Sequence, residues 1–498
     1  MTPVPLDRMP AALATFTTLA LLSPRPVIKP ALGLLVVTAV VCNYFMTRYG
    51  VVIDTHMWVN VQHTNVREAS ELLSADLLRQ LLLWAAVPML LLWRVQVSSQ
   101  AWGAEWGTRL LYLLIVWAVA LTAVGLQYKH VSIWLRTHSE IAKYPNPFYP
   151  VGSAIKFAYR GLIAQASAGQ FTLVGEDAVA RETTGRPRRV VLVVGETARA
   201  DHFALNGYAR NTNPRMAALT GLVNFPHVSS CGTATAMSVP CMFSEVGRAD
   251  FNREAAGNSD NLLDVIQRAE IDVLWRENNT GCQGVCVRVA VENLSLQTNQ
   301  TLCRDGECMD EQLLSGLAQV FEQPSGDQLI VLHLLGSHGP AYYRRYPAAF
   351  RQFEPECRLD DAYRCDTDAL VNSYDNTLLY TDHVLGELVA RLEQHSDTHD
   401  TAMIYLSDHG ESLGEHGMFL HGFPYKIAPP AQTHVPMLAW ISPSMQSALA
   451  LDMSCLETTR QQAYSHDNLF ASVLGLFDVA TAAYRADTDV FASCRGGS

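Results

Sequence analysis

Long apolar runs dominate the first 130 residues, and short apolar runs alternate with polar stretches after about residue 185. Three of the early runs are 31–48 (ALGLLVVTAVVCNYFMTR), 77–95 (LLRQLLLWAAVPMLLLWRV) and 108–126 (TRLLYLLIVWAVALTAVGL). Each approaches the ~20 residues that a helix needs to cross a bilayer. Pro88 is tolerable inside such a helix. A shorter run, 11–22 (AALATFTTLALL), predicts a partial helix. Arg25 and Lys29 precede the first span, and Arg94 and Arg109 flank the link between the second and third. The positive-inside rule places those basic residues in the cytoplasm, so the loop at 49–76 and everything after 126 lie outside. Residues 127–160 mix aromatic and basic side chains, as an interfacial segment does, and a plain exposed linker fits equally well. The polar stretch 175–189 reads as a hinge. The expected organisation is a transmembrane part (1–130), a linker (131–188) and a soluble domain (189–498).

Within the soluble part, the runs 189–194 (RVVLVV), 329–335 (LIVLHLL) and 402–406 (AMIYL) have the length and branching of buried parallel strands. Helical patterns at 260–270 and 372–393 lie between them. Alternating strands and helices predict an α/β fold around a mostly parallel sheet. Each run ends in polar chemistry: Gly195-Glu196-Thr197, Gly336-Ser337-His338, and Ser407-Asp408-His409. Ligands in such sheets bind at the carboxyl ends of strands. Glu196, His338, Asp408 and His409 are therefore expected to meet, and carboxylates with imidazole suit Zn²⁺.

The 498 residues carry a net charge of −12, and no basic block points to nucleic acid. Of eleven cysteines, Cys42 lies in an apolar run. The others fall as Cys231/Cys241, Cys282/Cys286, Cys303/Cys308, Cys357/Cys365 and Cys455/Cys494, and this pairing suggests disulfides in an oxidising compartment. Reduced or metal-binding cysteines are the alternative. The segment Cys231–Cys241 (CGTATAMSVPC) is small and hydroxyl-rich. A threonine at a helix start there could face phosphate at the positive end of the helix dipole. Helix capping is the simpler role for such a threonine on local sequence alone. Asn60, Thr64 and Glu68 are spaced four apart, so a helix would put them on one face. A solvated surface helix explains that spacing as well.

Several segments together resemble the lipid A phosphoethanolamine transferases, a family that includes the mobile colistin-resistance enzymes. They are VVGETARADH (193–202), CGTATAMSVPCMFS (231–244), LGSHGP (335–340), SYDNTLLYTD (373–382), LSDHGESLGEHG (406–417) and LHG (420–422). The resemblance spans roughly residues 31–490. It implies an alkaline-phosphatase-superfamily α/β/α fold on a helical membrane domain, with the catalytic domain in the periplasm of a multi-pass inner-membrane protein. It further implies Zn²⁺ on Glu196, Thr235, Asp408 and His409, one ion tightly bound and room for a second. Thr235 would be the nucleophile and would carry a phospho-threonine-type intermediate. His338, His421, Asn279, Thr280 and, more weakly, His333 would contact substrate, and Asn60, Thr64 and Glu68 would meet the ethanolamine headgroup.

Two features depart from the family pattern. The family usually has five transmembrane helices, and the resemblance implies a chain that starts inside the second, as truncation or a misplaced start would produce. Gln283 stands where relatives carry lysine; a neutral amide can hydrogen-bond phosphate but brings no charge. The expected reaction moves phosphoethanolamine from phosphatidylethanolamine to lipid A and confers polymyxin resistance. The expected enzyme is a monomer in the bilayer. The motifs do not specify the acceptor. An inner-core sugar, a periplasmic glycan or phosphoglycerol transfer are alternatives, and a non-catalytic zinc-holding scaffold is the rival of another class.

Overall fold

The computed structural model describes residues 17, 25–64, 69, 72–96, 102–126, 143–166, 171–181, 185–295, 301–304, 307–322, 326–359 and 362–496. The chain divides into two compact units. The first comprises Met1–Val59 and Leu73–Leu162, and the second comprises Asn60–Leu72 and Ile163–Ser498.

The first unit is helical: α1 (Arg25–Arg48), the start of α2 (Thr55–His63), α3 (Ala75–Arg94), α4 (Trp102–Leu126) and α5 (Phe148–Ala166). Ile28–Arg48 and Ala75–Arg94 are long and apolar enough to cross a membrane. The third expected span falls in α4, whose stretch Trp106–Thr122 is apolar. Leu82, Trp84, Leu90, Leu91 and Trp93 on α3, and Leu110, Leu114 and Leu121 on α4, are exposed. Apolar surface of that extent suits lipid rather than water. Gly33 lets α1 approach α3, since a Cβ there would stand 2.8 Å from Met89 Sδ. Tyr44 OH and Ser74 Oγ are 2.6 Å apart, and Arg48 pairs with Asp76 at 2.9 Å where α1 ends and α3 begins. The partial helix expected at 11–22 lies outside the described residues except for position 17, which is helical, and residues 127–142 of the expected interfacial segment also lie outside them.

The second unit is built on an eight-stranded sheet. Its strands in chain order are β1 (Arg188–Gly195), β2 (Leu222–Ser229), β3 (Asp272–Glu277), β4 (Ala290–Asn293), β5 (Gln328–His333), β6 (Asp400–Ser407), β7 (His434–Ile441) and β8 (Tyr464–Ser465). Their order across the sheet is β8-β2-β7-β6-β1-β5-β3-β4. The pairs β2/β8, β1/β6, β1/β5, β3/β5 and β3/β4 are parallel, and only β7 runs against its neighbours β2 and β6. The three runs read as strands are therefore neighbours at the centre, in the order β6-β1-β5.

Both faces of the sheet are buried, which is why these strands read as continuous apolar runs. Val190, Leu192 and Val194 pack into one core with α7 (Leu262–Arg268). Val191 and Val193 pack into the other with Tyr374, Leu378 and Leu385 of α8 (Thr367–His395). The expected hinge at 175–189 is corrected in part. Val174 and Ala178 are buried in the domain core. Asp260 accepts from Val174 N at 3.0 Å, and Arg268 donates to Val174 O at 2.7 Å. The domain therefore starts ahead of Arg188, because a flanking segment fills the groove beside α7. All five expected disulfides are present: Cys231–Cys241, Cys282–Cys286, Cys303–Cys308, Cys357–Cys365 and Cys455–Cys494, with Cys42 free and buried.

Candidate active site

The carboxyl ends of β1, β6, β5 and β3 converge on one cluster. Glu196 follows β1, and Asp408 and His409 follow β6. One ligand atom of each lies within 4.8 Å of the others, and all three side chains are buried. His409 Nε2 stands 3.4 Å from Glu196 Oε1 and 3.4 Å from Asp408 Oδ2. Those two carboxylate oxygens are buried without a hydrogen-bond partner. Burial, then the neighbouring Asp408 charge, raises the Glu196 pKa well above the carboxylate range, and burial also raises that of Asp408. Burial and then His421 hold His409 well below its ordinary value, so its imidazole is neutral. Two buried carboxylates facing a neutral imidazole are costly unless a cation sits among them. Carboxylate oxygen, imidazole nitrogen and hydroxyl are donors that Zn²⁺ accepts.

Thr235 completes the cluster. It is the first residue of α6 (Thr235–Met242), and the cap position belongs to Ala234. Its Oγ1 lies 3.1 Å from Glu196 Oε2 and 3.3 Å from His409 Nε2. The hydroxyl thus faces the acidic cluster and not a backbone N–H, so the helix-capping alternative fails. Two bonds fix the segment before it: Thr233 Oγ1 donates to Phe423 O at 2.6 Å, and Gly422 N donates to Thr233 O at 2.7 Å. These tie the Cys231–Cys241 segment to the loop that carries His421.

Backbone geometry holds Glu196 and Asp408 in place. Thr197 adopts a left-handed φ of 52°. For a residue with a branched side chain this is strained by about 1–3 kcal/mol. It is held because its N–H donates to Asp408 Oδ1 at 3.2 Å and its carbonyl accepts from Tyr374 OH at 2.7 Å. Gly336 has φ +51°, and a Cβ there would come within 2.8 Å of Glu196 O, so only glycine lets the His338 loop press on Glu196. Asp310 accepts from the N–H groups of Leu335 and Gly336 at 2.8 and 2.9 Å and so anchors that loop.

A small pocket of about 30 Å³ opens over Thr235, lined by Asn60, Thr64, Ala234, Ala236, Thr280, Gln283, His338 and His421, all of them residues of the second unit. Asn60 and Thr64 share a helical face as their spacing predicts, with Thr64 N donating to Asn60 O at 2.8 Å. Glu68 lies outside the described residues. The side-chain oxygens of Asn60 and Gln283 are buried without a donor. The ring centroids of His421 and His409 are 4.3 Å apart, and those of His338 and His421 are 6.3 Å apart. Burial, and then the charge of Arg345, hold His338 well below its ordinary pKa.

Asn279 and His333 stand behind this pocket. Asn279 Nδ2 donates to Glu196 Oε2 at 2.8 Å and to Leu334 O at 2.8 Å. The expectation that His333 touches substrate is replaced by its placement. It is fully buried, does not line the pocket, and meets Glu277 at 3.0 Å and Asn279 Nδ2 at 3.4 Å. It faces inward because strand alternation turns this position toward Trp275 and Glu277 of β3. Burial alone would lower its pKa, but the charges of Glu277, Asp408 and Asp310 outweigh that and raise it.

Glu277, Asp310, Tyr374 and Glu411 were not singled out from the sequence. Glu411 lies two residues past His409 and reaches His421 Nδ1 at 3.4 Å. Its place inside LSDHGES was the available signal. Asp310 carries none, since its partners are backbone groups 25 and 26 residues away.

Comparison with known proteins agrees along the whole chain. Residues 188–479 match the sulfatase family, and residues 11–162 match the family described as phosphoethanolamine transferase EptA/EptB. The chain is 39% identical over 478 residues to phosphoethanolamine transferase EptA of Escherichia coli strain K12, covering 94% of this chain and 86% of the relative. It is 38% identical to phosphatidylethanolamine transferase Mcr-1 of Escherichia coli, with coverage of 94% and 86%. The fold superposes on the integral membrane lipooligosaccharide phosphoethanolamine transferase A of Neisseria meningitidis with a TM-score of 0.93 at 36% identity. That match covers 99% of this chain and 94% of the other.

Proposed function

The chain belongs to the phosphoethanolamine transferase family, and from that premise we propose that it carries phosphoethanolamine from phosphatidylethanolamine to a phosphate of lipid A by way of Thr235. One observation carries the reading: the Thr235 hydroxyl sits on Glu196 and His409 at the floor of the pocket and makes no capping bond.

Glu196, Thr235, Asp408 and His409 would hold one Zn²⁺, whose charge favours the ionised hydroxyl and offsets negative charge on the phosphoryl oxygens. The donor's phosphate lies at the amino end of α6, where backbone N–H groups and the helix dipole favour an anion. Thr235 Oγ, its proton given up to solvent as the hydroxyl ionises, forms a bond to phosphorus, and the bond from phosphorus to the diacylglycerol oxygen breaks. Diacylglycerol leaves with a proton, for which His421 is the donor. The phosphoethanolamine remains as an ester on Thr235. An oxygen of a lipid A phosphate then attacks the phosphorus and releases Thr235. His338, neutral by burial, contributes hydrogen bonding rather than charge. The donor-less oxygens of Asn60 and Gln283 suit the three N–H bonds of an ammonium group, and Glu68 would add a carboxylate. Asn279 and, behind it, His333 position Glu196.

The apolar helices seat the first unit in the inner membrane as a multi-pass protein, and the five disulfides fit a catalytic unit in the periplasm. An added ammonium reduces the negative charge of lipid A, so cells gain resistance to cationic peptides such as polymyxin. The test is to mix the protein with phosphatidylethanolamine vesicles without acceptor, quench in acid and sequence the peptides by mass spectrometry. Phosphoethanolamine is expected on Thr235. Its appearance on Thr233 instead, or on no residue while diacylglycerol is released, refutes the covalent route.

A further inference from the structure

The pocket over Thr235 contains no lysine or arginine among its lining residues, although it is read as holding a phosphate. Arg253 stands directly behind that lining. Its Nε donates to the carbonyl of Ala236 at 3.0 Å, and its Nη2 donates to the carbonyl of Gln283 at 2.9 Å. Ala236 follows Thr235 on α6. Gln283 sits in the loop closed by Cys282–Cys286, with a left-handed φ of 54°. One guanidinium thus ties the nucleophile's helix to the Gln283 loop, and Ala236 and Gln283 both line the pocket.

Among the described residues Arg253 forms no ion pair, and the adjacent Glu254 carboxylate acts on its charge without closing one. Arg345, the cation beside His338, differs in being paired with Glu307 at 2.8 Å. Burial pulls the Arg253 pKa down, yet a guanidinium stays protonated throughout the neutral range. Its field reaches the pocket past Ala236 and Gln283, which line it. Gln283, nine-tenths buried, with its side-chain oxygen lacking a donor, supplies a polar contact but no charge.

Resting on the transfer reading above, we infer that Arg253 is a positioning residue that fixes the Thr235 helix against the Gln283 loop and supplies the positive field for the substrate phosphate. The fork and the charge can be separated. Arg253→Lys keeps the charge and loses the two-pronged geometry. Arg253→Gln keeps hydrogen-bonding ability and loses the charge. Arg253→Met loses both.

The experiment uses the full, zinc-supplemented chain in detergent and two probes. Inorganic phosphate is titrated by calorimetry, and diacylglycerol release is followed from vesicles of phosphatidylethanolamine and phosphatidylglycerol. Thermal unfolding checks that each variant folds. Arg253→Gln and Arg253→Met are expected to weaken phosphate binding about tenfold, as loss of one nearby charge across a partly buried path does. Arg253→Lys is expected to recover binding to within about threefold. KM for the donor should rise in parallel with the phosphate Kd. Phosphate binding by Arg253→Gln within twofold of the parent overturns the inference. So does Arg253→Lys binding as weakly as Arg253→Met at equal thermal stability. A parent protein that binds phosphate but releases no diacylglycerol would refute the transfer reading instead, while the phosphate titration still decides the role of Arg253.

Discussion

Replacing Asn279 with alanine removes one half-buried amide that braces Glu196. In the parent protein Nδ2 donates to Glu196 Oε2 and to Leu334 O, both at 2.8 Å, and Oδ1 accepts from Thr280 N at 2.7 Å. The bond to the carboxylate is charge-assisted, and such bonds contribute about 1.5–3 kcal/mol. At about 1.4 kcal/mol per tenfold, this is a factor of roughly 10–150 in an equilibrium constant. Groups that orient metal ligands elsewhere change metal affinity by about 10–100-fold, so two independent routes agree. Glu196 Oε1 already lacks a hydrogen-bond partner, and without Asn279 the carboxylate keeps only the Thr235 hydroxyl on Oε2. The assay is competition for Zn²⁺ between the protein and a chromophoric chelator, followed by diacylglycerol release at saturating zinc. Asn279→Ala should weaken zinc binding about 10–100-fold, and excess zinc should restore most turnover. A zinc affinity within twofold of the parent, in a folded variant, refutes the claim that Asn279 braces a ligand.

Three further outcomes are expected. Glu411→Gln, which removes the charge facing His421 Nδ1 at 3.4 Å, should lower kcat about tenfold or more with little change in KM, as steady-state diacylglycerol release would show. Tyr374→Phe strands the Thr197 carbonyl and the Arg199 N–H, bonded at 2.7 and 2.9 Å; it should cost about 2–4 kcal/mol, seen as a clear fall in Tm. Asp382 accepts from Arg215 N and Met216 N, yet burial pushes its pKa up to about 6. The folded value lies above the unfolded value of about 4, so its stabilisation is complete below that unfolded value and lost as pH rises through the folded one. The stability of the parent relative to Asp382→Asn should therefore grow as pH falls from about 7 to about 4, measured by denaturant unfolding; a flat difference would refute the shift.

The fold was legible where one physical signal dominates. The runs 189–194, 329–335 and 402–406 are apolar on both strand faces because both faces are covered, and they occupy adjacent positions at the sheet centre. Helix ends were less legible: α8 begins at Thr367 and ends at His395, beyond the expected 372–393, because Asp366 caps it upstream. The stretch 175–189 reads as polar hinge because the anchoring around it, at Val174 and Asp177, comes from partners far along the chain, Asp260 and Thr481. In the site, Glu196, Asp408 and His409 followed from strand-end placement alone. Thr235 did not, since its local sequence reads more simply as a cap, and the placement of Ala234 at the cap position and of Oγ1 on the cluster separates the two. His333 misled for the converse reason: sequence spacing puts it near His338, but strand alternation turns it inward.

The central claim is that Thr235 relays phosphoethanolamine to lipid A. It is tested most directly by mass spectrometry of lipid A from a strain that lacks this modification and expresses the chain. Lipid A bearing added phosphoethanolamine is expected, and its disappearance with Thr235→Ala at unchanged expression and folding. Modified lipid A in cells carrying Thr235→Ala, or unmodified lipid A with phosphoethanolamine on a core sugar or glycan instead, would contradict it.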